Sequence, residues 1–580
     1  TTNESGDVFV GGLVGTFSGT EIVHSSANVR VSSPNGDRVG GLVGFVDRSS
    51  SVLESSANGK VDGNESVGSL VGYSYGNVSA SDATGDANGT KYVGGLVGYK
   101  NRFGSDPVIV GSTASGNVDG TDYVGGVLGG TGAPGGGSTP IQIEDTTATG
   151  AVTGENYTGG LAGDLDNSVD KIIDSDAEGT VSGANYVGGL VGKNLGTVSS
   201  STASGQVTGT DYVGGIAGVA ESDISSVTVT NDVTGANYTG GIVGEYRGST
   251  VELTDATSTG TVSGDWYVGG LIGDMGSKGI ATATVGTITS SEATGAVDGK
   301  EYVGGLVGNI DGNVSASVAE GDVAGTDWVG GLVGYIERSS SSRNAILDST
   351  ASGDTTGKEY VGGVLGGAGG PPDVPILVKN TTARGDVVGT GDDVGGLIGE
   401  LDFSGDEVVD SEATGGVEGA TNVGGLIGKV VEGVIITRGY ATGAVSGDTD
   451  VGGLIGNASG DITASYATGA TGGTGAVGGL VGTLTTTGSV DEVYAAGAVS
   501  GDTDVGGLIG TTDSTSVTDA YWDTETTGQS SSAGNATGLT TSELKGNAAR
   551  TNTSLDFAAN WSVVDNGTHI SYPYLQANTQ

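Results

Sequence analysis

The chain has 580 residues, with Gly 118, Pro 8 and no cysteine, and its 68 Asp+Glu against 21 Lys+Arg leave a net charge of −47. This excludes disulfides and thiolate metal sites, excludes collagen because no G-X-Y period accompanies so little proline, and makes nucleic acid a poor partner because a phosphate backbone would be repelled. No run of 18 apolar residues is present, so no membrane-spanning helix is expected.

The first block of interest, Val10-Gly11-Gly12-Leu13-Val14-Gly15, lies close to Thr1, with no signal peptide ahead of it, so a processed N-terminus is expected. Variants of this block occur eighteen times, most plainly as Lys91-Tyr92-Val93-Gly94-Gly95-Leu96-Val97-Gly98, and successive first glycines are 26 to 35 residues apart. A period of that size marks a solenoid, propeller or array. Each repeat has two further apolar pulses: an S-x-A-T-G pattern such as Ser112-Thr113-Ala114-Ser115-Gly116, and a short G-x-V-x-G such as Gly150-Ala151-Val152-Thr153-Gly154. All three are strand-length and bounded by Gly, Asn, Asp or Ser. The expectation is an all-β fold, a β-solenoid (single-stranded β-helix) of about 18 coils with three short strands per coil. At about 4.8 Å per rung this would be a rod roughly 85 Å long. The Gly-Gly pair reads as a bend where φ > 0 is cheap and the next rung comes close.

A longer period is superimposed. Residues 91–192 resemble 327–428 at an offset of about 236, and the oversized loops at Gly129–Pro134 and Gly366–Pro371 coincide, which reads as duplication of an eight-coil block. Length varies mostly after the V-G-G-L-V-G block, so long loops should line one edge. The repeat domain is placed at 1–510. Residues 511–580 read as a C-terminal capping segment, with Thr540-Thr541-Ser542-Glu543 as the capping box of a short helix.

These blocks resemble the GLUG-motif repeat family, named for its G-G-L-[VI]-G core, over about residues 8–510. The segment Tyr521–Ser530, then Gly538-Leu539-Thr540-Thr541 and Tyr572-Pro573-Tyr574-Leu575, look like the piece that often closes such arrays. Departures are few: Ser69 for the second glycine, and Val127 and Val364 for the leucine. The resemblance implies an extracellular, adhesin-like repeat scaffold and no catalytic residues. The acidity, with scarce lysine, resembles haloarchaeal surface proteins, whose self-repulsion salt would screen.

The residue before V-G-G is aromatic in ten consecutive repeats: Tyr92, Tyr123, Tyr157, Tyr186, Tyr212, Tyr238, Tyr267, Tyr302, Trp328 and Tyr360. In a solenoid these form one stacked ladder. It is either plain stacking or a sticky stripe for glycans, apolar surfaces or a neighbouring rod. The position then becomes Asp393, Asn422, Asp450, Ala476 and Asp504. Stacked carboxylates attract hard cations, so calcium is left open beside a merely solvated acidic face. Sequons at Asn77, Asn88, Asn156, Asn237, Asn313, Asn380 and Asn457 are candidate glycosylation sites. His24 and His569 are the only histidines, and no triad, H-E-x-x-H or P-loop is present.

The expectation is therefore a non-enzymatic, extracellular structural or adhesive rod of a halophilic microbe. Its partners would be further copies of itself, head to tail or laterally, or surface glycans. The alternatives are a soluble glycan-binding module using the tyrosines and, further off, a β-helix that cleaves polysaccharide.

Overall fold

The computed structural model describes residues 8–102, 108–132, 139–248, 251–276, 286–338, 342–370, 374–566 and 568–576. The chain is 51% strand and 3% helix. It forms two units, Thr1–Met275 with Thr289–Gly295, and Gly276–Ile288 with Ala296–Gln580.

Each unit is a parallel β-solenoid. In the coil that begins at Lys91 the strands are Lys91–Gly94, Val97–Asn101, Val108–Val110, Thr113–Ala114 and Val118–Asp119. Equivalent residues pair on the next coil: Val93 with Val124, Val97 with Leu128, Ile109 with Ile143, Ala114 with Ala148 and Val118 with Val152. Like side chains thus stack on like side chains, and register follows from the repeat itself. Among the described residues, ten motif strands lie in the first unit, from Phe9–Gly11 to Trp266–Gly269. Eight lie in the second, from Glu301–Gly304 to Val505–Gly506. They correspond to the eighteen blocks.

The coil has five strands, not the three expected, because two of the pulses contain a corner. One corner is the Gly-Gly pair. The other is a single left-handed residue between the third and fourth strands, such as Ala80, Asp145, Asp174 or Ser200, with φ of 46° to 50°. In these coils a buried serine or threonine follows it: Ser81, Thr146, Ser175 and Ser201. Ser175 Oγ donates to the Ile173 carbonyl at 2.8 Å and accepts the Thr146 N–H at 3.2 Å, and the Ser175 N–H donates to Ser201 Oγ at 3.1 Å. The first residue of S-x-A-T-G is therefore a hydroxyl ladder that satisfies corner amides otherwise orphaned in the interior.

The glycines serve close approach, not positive φ. A Cβ on Gly94 would lie 2.0 Å from the Val97 carbonyl oxygen, one on Gly95 2.0 Å from that of Gly126 on the next coil, and one on Gly98 2.5 Å from the Ser66 backbone. None of the three has φ > 0. A Cβ at these points would meet backbone of the same or the neighbouring coil. Ser69 is accommodated because its hydroxyl donates to the Gly85 carbonyl at 2.5 Å. Leu96 and Val97, the two apolar residues after the glycines, are both fully buried, one at the corner and one on the next face.

The long loops fall where length variation placed them. The second strand ends at Asn101 and the third begins at Val108; the corresponding gap is Gly132 to Gln142 in the next coil and Gly369 to Leu377 in the second unit. After Ile509–Thr512 one sheet continues through Ala520–Asp523 and Thr537–Leu539, and a single bridge from Val490 to Val517 extends another. There Trp522 takes the register place of the core alanine Ala495, is 5% exposed, and stands where a side chain on Gly507 would be. Asp523 caps the helix Thr524–Thr527, and the expected capping box of Thr540 and Glu543 begins the helix Thr541–Leu544. Leu544, Leu555, Trp561 and Leu575 bury themselves against Tyr494 and Tyr521.

Candidate binding surface: the aromatic ladder

The residue before V-G-G sits in a conformation that L-residues avoid. Tyr92 has φ 53°, Tyr123 58°, Tyr157 54° and Trp328 57°, and the other six aromatics match them. The left-handed twist at this point lets the strand turn its aromatic outward and then bring V-G-G back in register. It costs a non-glycine residue roughly 1–2 kcal/mol. Asn and Asp bear it best, which explains the later part of the row: Asp393, Asn422, Asp450 and Asp504 keep φ between 50° and 60°. From Ser66 onward the position takes this backbone conformation in every described coil except the one at Ala476. Two chemistries meet it, stacked rings in one stretch and short polar side chains in another.

In the first unit the rings form an unbroken stack. Centroids from Tyr92 through Tyr267 are 4.7 to 5.0 Å apart, and from Tyr123 onward the planes deviate by only 2° to 7°. In the second unit Trp328 and Tyr360 stack at 3.9 Å and 4°, with Tyr335 edge-on to Trp328. All ten aromatics are half-buried. Near-parallel rings this close cover each other's faces, so the ladder offers a partner its edges and phenol hydroxyls, not a flat platform. Stacking of about 0.5–1.5 kcal/mol per pair is enough to offset most of the backbone strain. We expect Tyr186→Ala to lose two stacks and keep the strain, lowering local stability by roughly 2–3 kcal/mol, whereas Tyr186→Asn should lose less. Hydrogen exchange of the Val187 and Val213 amides measures both; equal losses would refute the strain argument.

Polar rows flank the rings. On the ladder strand itself Asn156 Nδ2 donates to Asp122 Oδ1 at 2.8 Å, Asn185 Nδ2 to Asn156 Oδ1 at 2.9 Å, and Asn237 Nδ2 to Asp211 Oδ1 at 2.6 Å. On the adjoining strand Asp164 is 8% exposed, and its carboxyl is pushed up to about 7 by burial and by Asp166, with Lys193 pulling it back. Glu245 pairs with Arg247, whose guanidinium lies 5.1 Å from the Tyr212 ring. Burial pushes the Tyr123 phenol up to about 12, and burial likewise raises those of Tyr92, Tyr157, Tyr212, Tyr302 and Tyr360.

A family model described as the GLUG motif matches residues 183–208. That match supports the GLUG repeat family. It spans one complete short-looped coil, from the turn before Asn185-Tyr186 to the strand Val207–Thr208. No curated protein and no solved structure matches the chain.

The other expected sites are dispersed. Along the coils, Asn156 and Asn237 have their amides engaged in the polar row, Asn88 donates to Asp62 at 3.1 Å, and Asn77 accepts the Val108 N–H at 3.2 Å. Asn313 and Asn457 are half-buried in strands, whereas Asn380 is exposed at a left-handed corner and donates to Asp348 at 2.6 Å. The acidic continuation of the ladder is internally bonded: Asn422 Nδ2 donates to Asp393 at 2.6 Å, and Lys429 Nζ lies 3.8 Å from Asp393 and 2.6 Å from Glu400. No group of three or more His, Asp or Glu with metal-site geometry occurs among the described residues. His24 faces Glu54 at 3.0 Å on an exposed corner.

Sequence reasoning passed over the buried charges. Arg102, 2% exposed, reaches two coils onward to Asp166 and Asp170 and donates to Thr131 Oγ1 at 2.8 Å. In the second unit Arg338 does the same to Asp402 at 2.8 Å and Asp406 at 2.7 Å. The 236-residue offset maps Arg102, Asp166 and Asp170 onto Arg338, Asp402 and Asp406, a recurrence visible in the sequence. Lys100 is fully buried; its Nζ donates to the Gly76 carbonyl.

Proposed function

We propose that this structural repeat protein works as an extracellular scaffold of a halophilic microbe, presenting one regular surface for attachment or cell-cell contact. The observation that carries the reading is the uniform coil. The apolar pulses are spent mainly on stacking, and the outward rows beside the aromatic edges are mainly acidic, amide and hydroxyl groups. Acidity of this size favours a high-salt setting, where the Debye length falls to about 3 Å at 1 M. The fold being a repeat, each further coil extends the surface without a new core.

The purified chain should bind cells or deposited exopolysaccharide in molar NaCl and fold less stably at low salt. A chain equally stable at low salt and inert toward both would refute the proposal. Contact with further copies of the same chain is part of this reading, and electron microscopy in the same buffer reads it directly.

Surface glycans are the second reading, favoured by the comb of phenol hydroxyls beside the amide row. A glycan array with the Tyr157→Phe/Tyr186→Phe/Tyr212→Phe variant tests it, because phenylalanine keeps the stack and removes only the hydroxyls. Binding unchanged by the substitution would sink it.

We further assign the segment after residue 510 a capping role, because Trp522 fills the interior where the next core alanine would be. Removing 511–580 should expose the last coil and cause concentration-dependent association. A truncated chain that stays monodisperse would remove that assignment.

A further inference from the structure

We infer that the seven-ring stack from Tyr92 to Tyr267 relays oxidising equivalents, carrying a hole along the solenoid when an external one-electron oxidant, such as an oxygen-derived radical, attacks one end. Parallel rings 4.7 to 5.0 Å apart place each π-system against the next without interruption. The rings are half-buried, so the radical is partly shielded from solvent. Acidic side chains on neighbouring strands act on the phenols electrostatically, Asp164 on Tyr92, Tyr123 and Tyr157, and Glu245 on Tyr212. The side chains that would ordinarily intercept an oxidant are scarce, since the chain has Cys 0 and Met 1.

The chemistry balances without a further reagent. The oxidant takes one electron from the first ring, and the phenolic proton passes to water. The tyrosyl radical then takes one electron and one proton from the next phenol, which becomes the radical. Migration stops where two radicals join ortho carbon to ortho carbon, each ortho hydrogen moving to its phenolic oxygen to leave dityrosine.

The absence of cysteine makes the test direct. Glu65 pairs with Lys91, one coil before the stack, so Glu65→Cys accepts a tethered ruthenium polypyridyl photo-oxidant, with persulfate as the electron acceptor. After illumination with a spin trap, peptide mass spectrometry should find adducts from Tyr92 through Tyr267. Tyr186→Phe keeps the ring but not its oxidation. It should abolish adducts at Tyr212, Tyr238 and Tyr267, down to the level seen with untethered complex, and leave those at Tyr92 to Tyr157. Tyr238→Phe should move the cut-off with it. Adducts confined to the rings nearest the label in the parent chain, or distal adducts indifferent to either substitution, would overturn the inference.

Discussion

Lys100→Ile stabilises the coil that carries it, and the gain is largest near neutral pH. Lys100 lies fully inside the solenoid between Ser74 and Thr131, and burial lowers its ammonium from 10.5 to about 7. A lysine whose folded pKa is depressed leaves the folded state with fewer protons than the unfolded state between those two values. Its cost is therefore full at and below pH 7 and fades as pH rises toward 10.5. At the usual free energy per pKa unit this is about 5 kcal/mol as an upper figure. Isoleucine removes the charge at nearly constant volume. Little is orphaned, because the Gly76 carbonyl still accepts Ser74 Oγ at 2.8 Å. The second unit already has this solution: Ile336, 236 residues on, packs buried between Ile310 and Ala368. Hydrogen exchange of amides in the surrounding coils, followed from pH 7 to 10.5, should show protection gained by the variant and the difference closing with pH. Lower protection at pH 7, or a gain that does not depend on pH, would refute this account.

Arg338→Ala has the opposite effect, of roughly 3–5 kcal/mol, because it leaves a buried carboxylate without its cation. Arg338 is 1% exposed and Asp406 is wholly buried. Burial pushes the Asp406 carboxyl up to about 6, with Arg338 and the Ile376 N–H pulling it down. A carboxyl raised in the fold holds its proton where the unfolded chain has lost it, so its contribution to stability falls as pH rises from 3.8 through 6. Without Arg338 the carboxyl rises further, so the variant's deficit should narrow as pH falls toward 6 and stay constant below it. Arg338→Met with Asp406→Asn, which removes both charges and keeps an acceptor for Ile376, should recover most of the loss. If the single variant is as stable as the parent at pH 7.5 by exchange of the Ile376 and Val408 amides, the clamp is decorative.

Much of this was legible in the residues. The period, the strand-length pulses and the glycine punctuation specified a β-solenoid, and eighteen motif strands answer to eighteen blocks. The aromatic row was legible as a ladder, and loop lengths marked the edge where they emerge. The corners were not. A left-handed residue followed by a buried serine looks, in sequence, like any polar turn. That the motif glycines serve steric approach and not turn conformation is a fact about the neighbouring coil, which lies some thirty residues away. Trp522 could be seen as a break in pattern, but its place over Gly507 could not.

By itself the sequence determined which residues stack on which, because a repeat in parallel register brings each position against its own copy. That is why the tyrosines had to meet and why the core had to be built from Val, Leu, Ala and Ile. Only the tertiary structure decided how each stack is used. Backbone conformation turned the tyrosines edge-out with their faces covered, and enclosure by adjacent coils turned Lys100 and Arg338 from surface cations into buried charges. Both depend on what surrounds a side chain in the coils above and below, which the linear order of residues does not state.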